Sequence, residues 1–260
     1  MPRGAHLQVM NNLGMNYLDQ KRYAEAEPML REVYEARKQR TETLGPRHPQ
    51  TLATANNLAL SVAKLGRLDE AAELYETTLA FRRETLGDEH QSTLTTLNNL
   101  ATLRLSPPDG GRPTRAQLLE ALPRLEEAQA GYCKLMGPRH PSTVALVINL
   151  SVVLHALRTH SPEAGPTQRE LFERAVAMLR TAIADYAAAE AAAATATPRQ
   201  AEQADAAAGV AADLTGSVRS EASSRSRMGQ LARQLHMLLC TESDLGDEAA
   251  AVAAEHGLAA

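Results

Sequence analysis

Apolar residues recur along the first two-thirds of the chain every three or four positions, and one local arrangement of them returns at wide intervals. Met10-Asn11-Asn12-Leu13-Gly14, Ala55-Asn56-Asn57-Leu58-Ala59 and Leu97-Asn98-Asn99-Leu100-Ala101 share a pattern, with a weaker fourth copy at Val147-Ile148-Asn149-Leu150-Ser151. Each copy sits on an amphipathic stripe and predicts a helix. The second Asn returns after 45 residues (12 to 57), then 42 (57 to 99), then 50 (99 to 149). Periods of this size signal stacked helical repeats.

A second pattern opens the partner helix of each unit: Arg22-Tyr23-Ala24-Glu25-Ala26-Glu27, Arg67-Leu68-Asp69-Glu70-Ala71-Ala72 and Arg124-Leu125-Glu126-Glu127-Ala128-Gln129. Gly66, between Leu65 and Arg67, suits the left-handed turn of a helical hairpin, and Gln20-Lys21 does the same work in the first unit. Units are joined by Leu44-Gly45-Pro46-Arg47-His48-Pro49, Leu86-Gly87-Asp88-Glu89-His90-Gln91 and Met136-Gly137-Pro138-Arg139-His140-Pro141. In each, Gly ends one helix and Pro, where present, suits the first turn of the next, which puts His48, His90 and His140 at equivalent caps. Small residues (Gly14, Ala59, Ala101 and Ser151, with Ala26, Ala71 and Ala128 on the partner helices) let the paired helices approach closely.

Taken together, Leu followed by Gly or Ala, then Tyr17 or Val62, Ala at the second-helix start and Tyr75 resemble the tetratricopeptide repeat. The longer unit with Asn-Asn-Leu-Ala and Leu-Gly-x-x-His-Pro-x-Thr is similar to the kinesin light chain type of that repeat. The resemblance implies an all-α fold, a right-handed superhelical solenoid of antiparallel helix hairpins (a TPR-like α-α superhelix). It covers roughly residues 5–186. About four hairpins are expected over 1–186, with loop insertions near 106–113 and 159–166, where Pro and Gly are dense. An Ala/Ser-rich helical or flexible segment is expected over 187–227. A C-terminal helical cap or tail follows at 228–260, built on Met228, Leu231, Leu235, Leu238 and Leu239.

In kinesin light chains the first-helix Asn residues line a cargo groove. The resemblance therefore carries a peptide-binding role on the concave face to Asn11, Asn12, Asn56, Asn57, Asn98, Asn99 and Asn149. Side-chain amides offer a donor and an acceptor to an extended peptide backbone. The same amides could instead bond between neighbouring repeats and fix their stacking; the sequence leaves both readings open. The heptad segment through which kinesin light chains join the motor is not found in these 260 residues, so motor association is not expected.

Composition narrows the chemistry. Aromatics make up 3% of the chain with no Trp, so the core must be Leu, Ala, Val and Met. A formal charge of -4 and the lack of any long Lys/Arg run argue against nucleic acid as a partner. No apolar signal core and no stretch of about 18 wholly apolar residues occurs, so no membrane association is expected. Cys133 and Cys240 lie outside any paired-ligand spacing and read as reduced thiols of a cytoplasmic protein. Three of the eight histidines fall at repeated junctions and cannot converge on one ion, while His155 and His160 match no helical metal pair and read as solvated.

No phosphate loop, nucleophile elbow or recognisable carboxylate pair occurs. No catalytic residue, metal or cofactor is expected, and the partners are other proteins bound through short peptide motifs. An alternative is a repeat-containing scaffold or sensor fragment of a larger signalling protein; an enzymatic site would have to lie in the inserted loops or the tail. Glu25, Glu27, Glu70 and Glu73 early in second helices, and the Arg31 to Arg40 stretch with Arg82-Arg83 late in them, suit the helix dipole and a solvated face.

Overall fold

The computed structural model describes residues 3–40, 44–105, 111–159, 168–195, 221–239 and 246–256. Among these residues every regular element is a helix: α1 Arg3–Asp19, α2 Tyr23–Lys38, α3 Pro49–Lys64, α4 Leu68–Leu86, α5 Gln91–Thr102, α6 Arg115–Met136, α7 Pro141–Thr159, α8 Gln168–Thr195, α9 Glu221–Leu239 and α10 Gly246–Glu255. The chain divides into two compact units, Met1–Gly131 and Tyr132–Ala260, with α6 contributing to both.

In the first unit α1 packs on α2, α2 on α3, α3 on α4 and α4 on α5. The hairpin turns depend on a left-handed residue at the repeated position: Gly66 has φ +86° and Lys21, 45 residues earlier, has φ +60°. The bonds Gly66 N–H to Ala63 O (3.0 Å) and Arg67 N–H to Val62 O (3.2 Å) close the second turn. The second helices bury Ala26, Leu30 and Val33 on α2, and Ala71, Tyr75, Thr78 and Leu79 on α4, at helical spacing. Gly14 lies against Leu30, where an added Cβ would stand 2.9 Å from Leu30 Cγ, so the α1–α2 contact has no room for a side chain there.

The expected caps form. His48 and His90 have extended backbones, and their ring Nδ1 atoms accept from the N–H groups of Gln50 (3.2 Å) and Ser92 (3.1 Å); His140 Nδ1 accepts from Ser142 N–H (3.2 Å). Leu58, Leu100 and Leu150 are buried as their repeat predicts, but Leu13 is 40% exposed. Among the described residues α1 packs mainly on α2, with a smaller contact to α3.

The third second helix departs from the sequence reading. Arg124-Leu125 lies mid-helix, because α6 starts at Arg115 behind a capping box in which Gln117 N–H donates to Thr114 Oγ1 (3.3 Å) and Thr114 N–H to Gln117 Oε1 (2.8 Å). Burial aligns Leu118, Ala121, Leu125, Ala128 and Tyr132 with Leu68, Ala71, Tyr75, Thr78 and Arg82, a constant shift of 50 residues. Ala121 therefore stands where Ala71 does; the likeness of the Arg124 segment to the Arg67 segment is two helical turns out of register.

In the second unit α7 packs on α8, α9 on both, and α10 on α9. Val144, Leu146, Val147, Leu150, Val153, Leu154 and Leu157 of α7 are buried, as are Leu171, Ala175, Leu179 and Tyr186 of α8 and Leu231, Leu235, Leu238 and Leu239 of α9. The window Pro141–Arg158 has a mean hydropathy of 1.4 and by length and composition could cross a membrane, unlike the expectation from sequence. Its apolar residues are instead those of a core helix. The Ala-rich run from Ala187 continues α8 to Thr195. His236 donates from Nδ1 to Ala249 O (2.8 Å), tying α9 to α10 as a further antiparallel pair. Residues 106–110, 160–167 and 196–220, which include most of both expected insertions, and Cys240 lie outside the described residues.

Candidate functional site

On α3 the positions Ala53, Asn57, Leu60 and Lys64 follow one another at helical spacing and are exposed or half-buried; they share one face. The matching face of α1 carries Gln8, Asn12 and Met15, and that of α5 carries Thr95, Asn99 and Thr102. At its C-terminal end the α3–α5 interval opens into a crevice of about 340 Å³ lined by Leu60, Lys64, Leu68, Tyr75, Asn99 and Thr102. A second crevice of similar volume lies at the N-terminal end, lined by Gln50, Ala53, Arg82, Leu86, His90 and Ser92. The lining is apolar and amide-rich, with Lys64, Arg82 and His90 as its ionisable groups besides the Tyr75 phenol and without a carboxylate.

The fold divides the seven candidate amides. Asn11 and Asn56, first of their pairs, are 8% and 9% exposed and face the next repeat. Asn11 Oδ1 accepts from Thr54 Oγ1 (3.0 Å) and from Arg37 Nη1 (3.4 Å), and Asn56 Oδ1 accepts from Thr96 Oγ1 and Asn99 Nδ2 (both 3.4 Å). Asn12 is exposed and takes Gln8 Nε2 at 3.1 Å; Asn57, Asn99 and Asn149 are half-buried. Asn98 is half-buried as well, and its Oδ1 is buried with no hydrogen bond. Asn12, Asn57 and Asn149 thus leave amide surface open, Asn11 and Asn56 are tied between helices, and Asn99 gives one donor to Asn56 while still lining the crevice.

Two arginines complete this arrangement, and here the solvated reading of the late second helix is corrected. Arg37 and Arg82 are each 5% exposed. Arg37 Nη1 donates to Gln50 O (3.0 Å) and Thr54 Oγ1 (2.6 Å), and Nη2 to Gln8 Oε1 (3.3 Å). Arg82 Nη1 repeats this on Ser92 O and Thr96 Oγ1 (both 2.6 Å), and Nη2 donates to Leu52 O (3.3 Å). Burial without a carboxylate to offset it holds Arg37 below the usual guanidinium value. The sequence signal was the interval: Arg37 and Arg82 are 45 apart and Thr54 and Thr96 are 42 apart, in step with the Asn pairs. The trio does not continue in the sequence: Asn98 is kept, but Tyr132 and Leu146 hold the positions of the Arg and the Thr.

The tetratricopeptide repeat family model matches residues 5–84 and again 50–106. Residues 5–106 therefore carry tetratricopeptide repeats. The fold of the described residues is all-α and similar to that of solved TPR-like solenoids. The nearly identical TPR-like repeats of a kinesin light chain candidate from Podosopora anserina match with 22% identity over 98% of both chains and a TM-score of 0.59. A point variant of those repeats matches over 100% of both chains with a TM-score of 0.58, again at 22% identity. BtubC (BKLC) from P. vanneervenii matches at 19% identity, covering 99% of this chain and 83% of that one, with a TM-score of 0.60. No curated protein matches the sequence. Tetratricopeptide repeats generally mediate protein–protein interaction.

Within the repeat frame α9 offers Arg233, Gln234 and Met237 where α7 offers Ile148, Asn149 and Val152, as the shared burial of Leu231/Leu146 and Leu235/Leu150 shows. Val152 and Met237 are 48% and 47% exposed, like Met15 (43%) at the same position of α1. Reasoning from sequence missed α9 as a repeat helix because it lacks the Asn pair and lies 85 residues beyond α7 in register (149 to 234). His155 is half-buried rather than solvated. Its Nδ1 is buried without a hydrogen bond, and burial, then Arg158, holds it below the ordinary imidazole value. His160 lies outside the described residues. Cys133 is half-buried, and burial together with Asp185 pushes its thiol up, away from a reactive thiolate. Among the described residues no three His, Cys, Asp or Glu side chains gather as metal ligands.

Proposed function

We propose that this protein is a cytoplasmic adaptor that holds extended peptide segments of partner proteins on the face of its first unit carrying Asn12, Asn57 and Asn99. The observation that carries the reading is the division of the amides. Asn11 and Asn56 are held in inter-repeat bonds, whereas Asn12 and Asn57 keep amide surface on the outer face, and Asn99, which gives one donor to Asn56, lines a crevice on that face. Amides recognise backbone and the crevices admit side chains, which together give affinity with some sequence choice.

Peptides selected from a displayed library are measured by calorimetry against the wild type and against Asn12→Ala/Asn57→Ala/Asn99→Ala. Loss of about tenfold or more in affinity with an unchanged helical signal supports the reading; each lost hydrogen bond is worth about 0.5–1.5 kcal/mol. Unchanged affinity in the triple variant sinks it. Asn11→Ala/Asn56→Ala is expected to lower stability before affinity.

A further inference from the structure

The turn Gly137-Pro138-Arg139-His140 that starts α7 is also where α9 is fastened. His140 Nδ1 accepts from Ser142 N–H at 3.2 Å, which requires an unprotonated Nδ1. One residue earlier, Arg139 O accepts from Arg227 Nη1 of α9 at 3.1 Å. The Arg139 guanidinium in turn lies 5.8 Å from the ring centroid of Tyr186 on α8. Three helices therefore meet at a cap that works only while its imidazole is neutral, beside Arg139 and Arg227. Burial first, and then Arg227, holds His140 below its ordinary value.

The groups around the junction are Arg227 from α9, Arg139 from the turn itself and Tyr186 from α8, while Asp185, the next residue of α8, acts on Cys133. His155 and Arg158 of α7 lie about four turns further along that helix. His236 of α9 donates to a carbonyl, so its bond to Ala249 survives protonation.

We propose that His140 is an acid-sensitive latch: neutral, it holds the α9–α10 pair docked on α7 and α8, and protonation releases that pair. A proton on Nδ1 replaces the acceptor with a second donor facing Ser142 N–H. It also sets a positive charge at the positive end of α7 and next to Arg227 and Arg139. Because the folded value is depressed, the docking contribution is complete above the unfolded imidazole value of about 6.5 and is lost as pH falls through the folded value.

The test is hydrogen exchange of the full chain at about pH 7.5 and about pH 5.0, expressed as protection over intrinsic rates. Wild-type α9 is expected to lose about tenfold or more of its protection on acidification while α8 keeps its own. His140→Asn, whose amide caps without titrating, is expected to keep α9 protected at both pH values. Unchanged α9 protection in the wild type, or equal loss in His140→Asn, overturns the latch. If His140→Asn does not fold, the wild type decides: release must follow the titration of the His140 imidazole observed by NMR, and a midpoint more than about half a unit away rejects the proposal.

Discussion

Replacing Thr54 with Val keeps the shape of the side chain and removes only its hydroxyl. That hydroxyl is 1% exposed with its residue, accepts from Arg37 Nη1 at 2.6 Å, and has Asn11 Oδ1 and Gln50 O within 3.0 Å as acceptors. After the change Arg37 remains desolvated, with Gln50 O at 3.0 Å and only the longer contacts to Gln8 and Asn11. A bond to a charged donor contributes about 1.5–3 kcal/mol, so Thr54→Val is expected to cost about 2–3 kcal/mol. Arg37→Met removes the buried charge and leaves Thr54 able to bond Asn11 or Gln50, at a cost of about 1–2 kcal/mol.

The double variant has neither a stranded cation nor a stranded hydroxyl, and should be more stable than the sum of the two losses predicts by about 1.5 kcal/mol. Because neighbouring repeats stabilise one another locally, amide exchange of α2 and α3 alongside urea unfolding is the appropriate readout. The Arg82→Met and Thr96→Val pair, with the same geometry, should give a cycle of the same sign. Additivity within about 0.5 kcal/mol in both cycles would refute the claim that these buried side chains act as a unit.

Gly131→Ala would place a Cβ 2.5 Å from Leu94 Cδ2 and 2.9 Å from Cδ1, and Leu94 is only 2% exposed. Overpacking of this kind is expected to cost about 1–3 kcal/mol in a thermal melt, and a neutral result would show that Leu94 has space to turn. His90→Ala should cost about 1 kcal/mol through loss of the α5 cap, while His90→Asn should cost a few tenths at most. Equal losses in the two variants would assign the effect to packing in the crevice that His90 lines rather than to the bond with Ser92.

The helical hairpins and the histidine caps were legible in the chain because the forces that make them are local. Helical spacing sets which residues share a face, a left-handed residue closes a turn, and an imidazole two residues before an amide caps it. The buried leucines followed from the same periodicity at Leu58, Leu100 and Leu150, and failed at Leu13, on α1, which packs mainly on α2. The start of α6 was misread because Arg124-Leu125-Glu126-Glu127-Ala128 carries the helix-opening composition in the middle of a helix whose Thr114/Gln117 box lies just after an inserted loop.

Which amides are spent and which remain available was not a local matter. Arg37 and Arg82 look like any solvated arginine late in a helix. Their burial depends on Gln50 O and Thr54, or Ser92 O and Thr96, delivered by the helix that follows. Asn11 and Asn12 are chemically identical neighbours about 100° apart on α1, and only the packing of α3 beside that helix turns one into an inter-repeat tie and leaves the other exposed. Periodicity and turn chemistry alone specify a ladder of helical hairpins with matching caps. The division of labour among the side chains came from helix-on-helix packing, because a side chain's role between helices depends on the acceptor and the solvent access its neighbour provides.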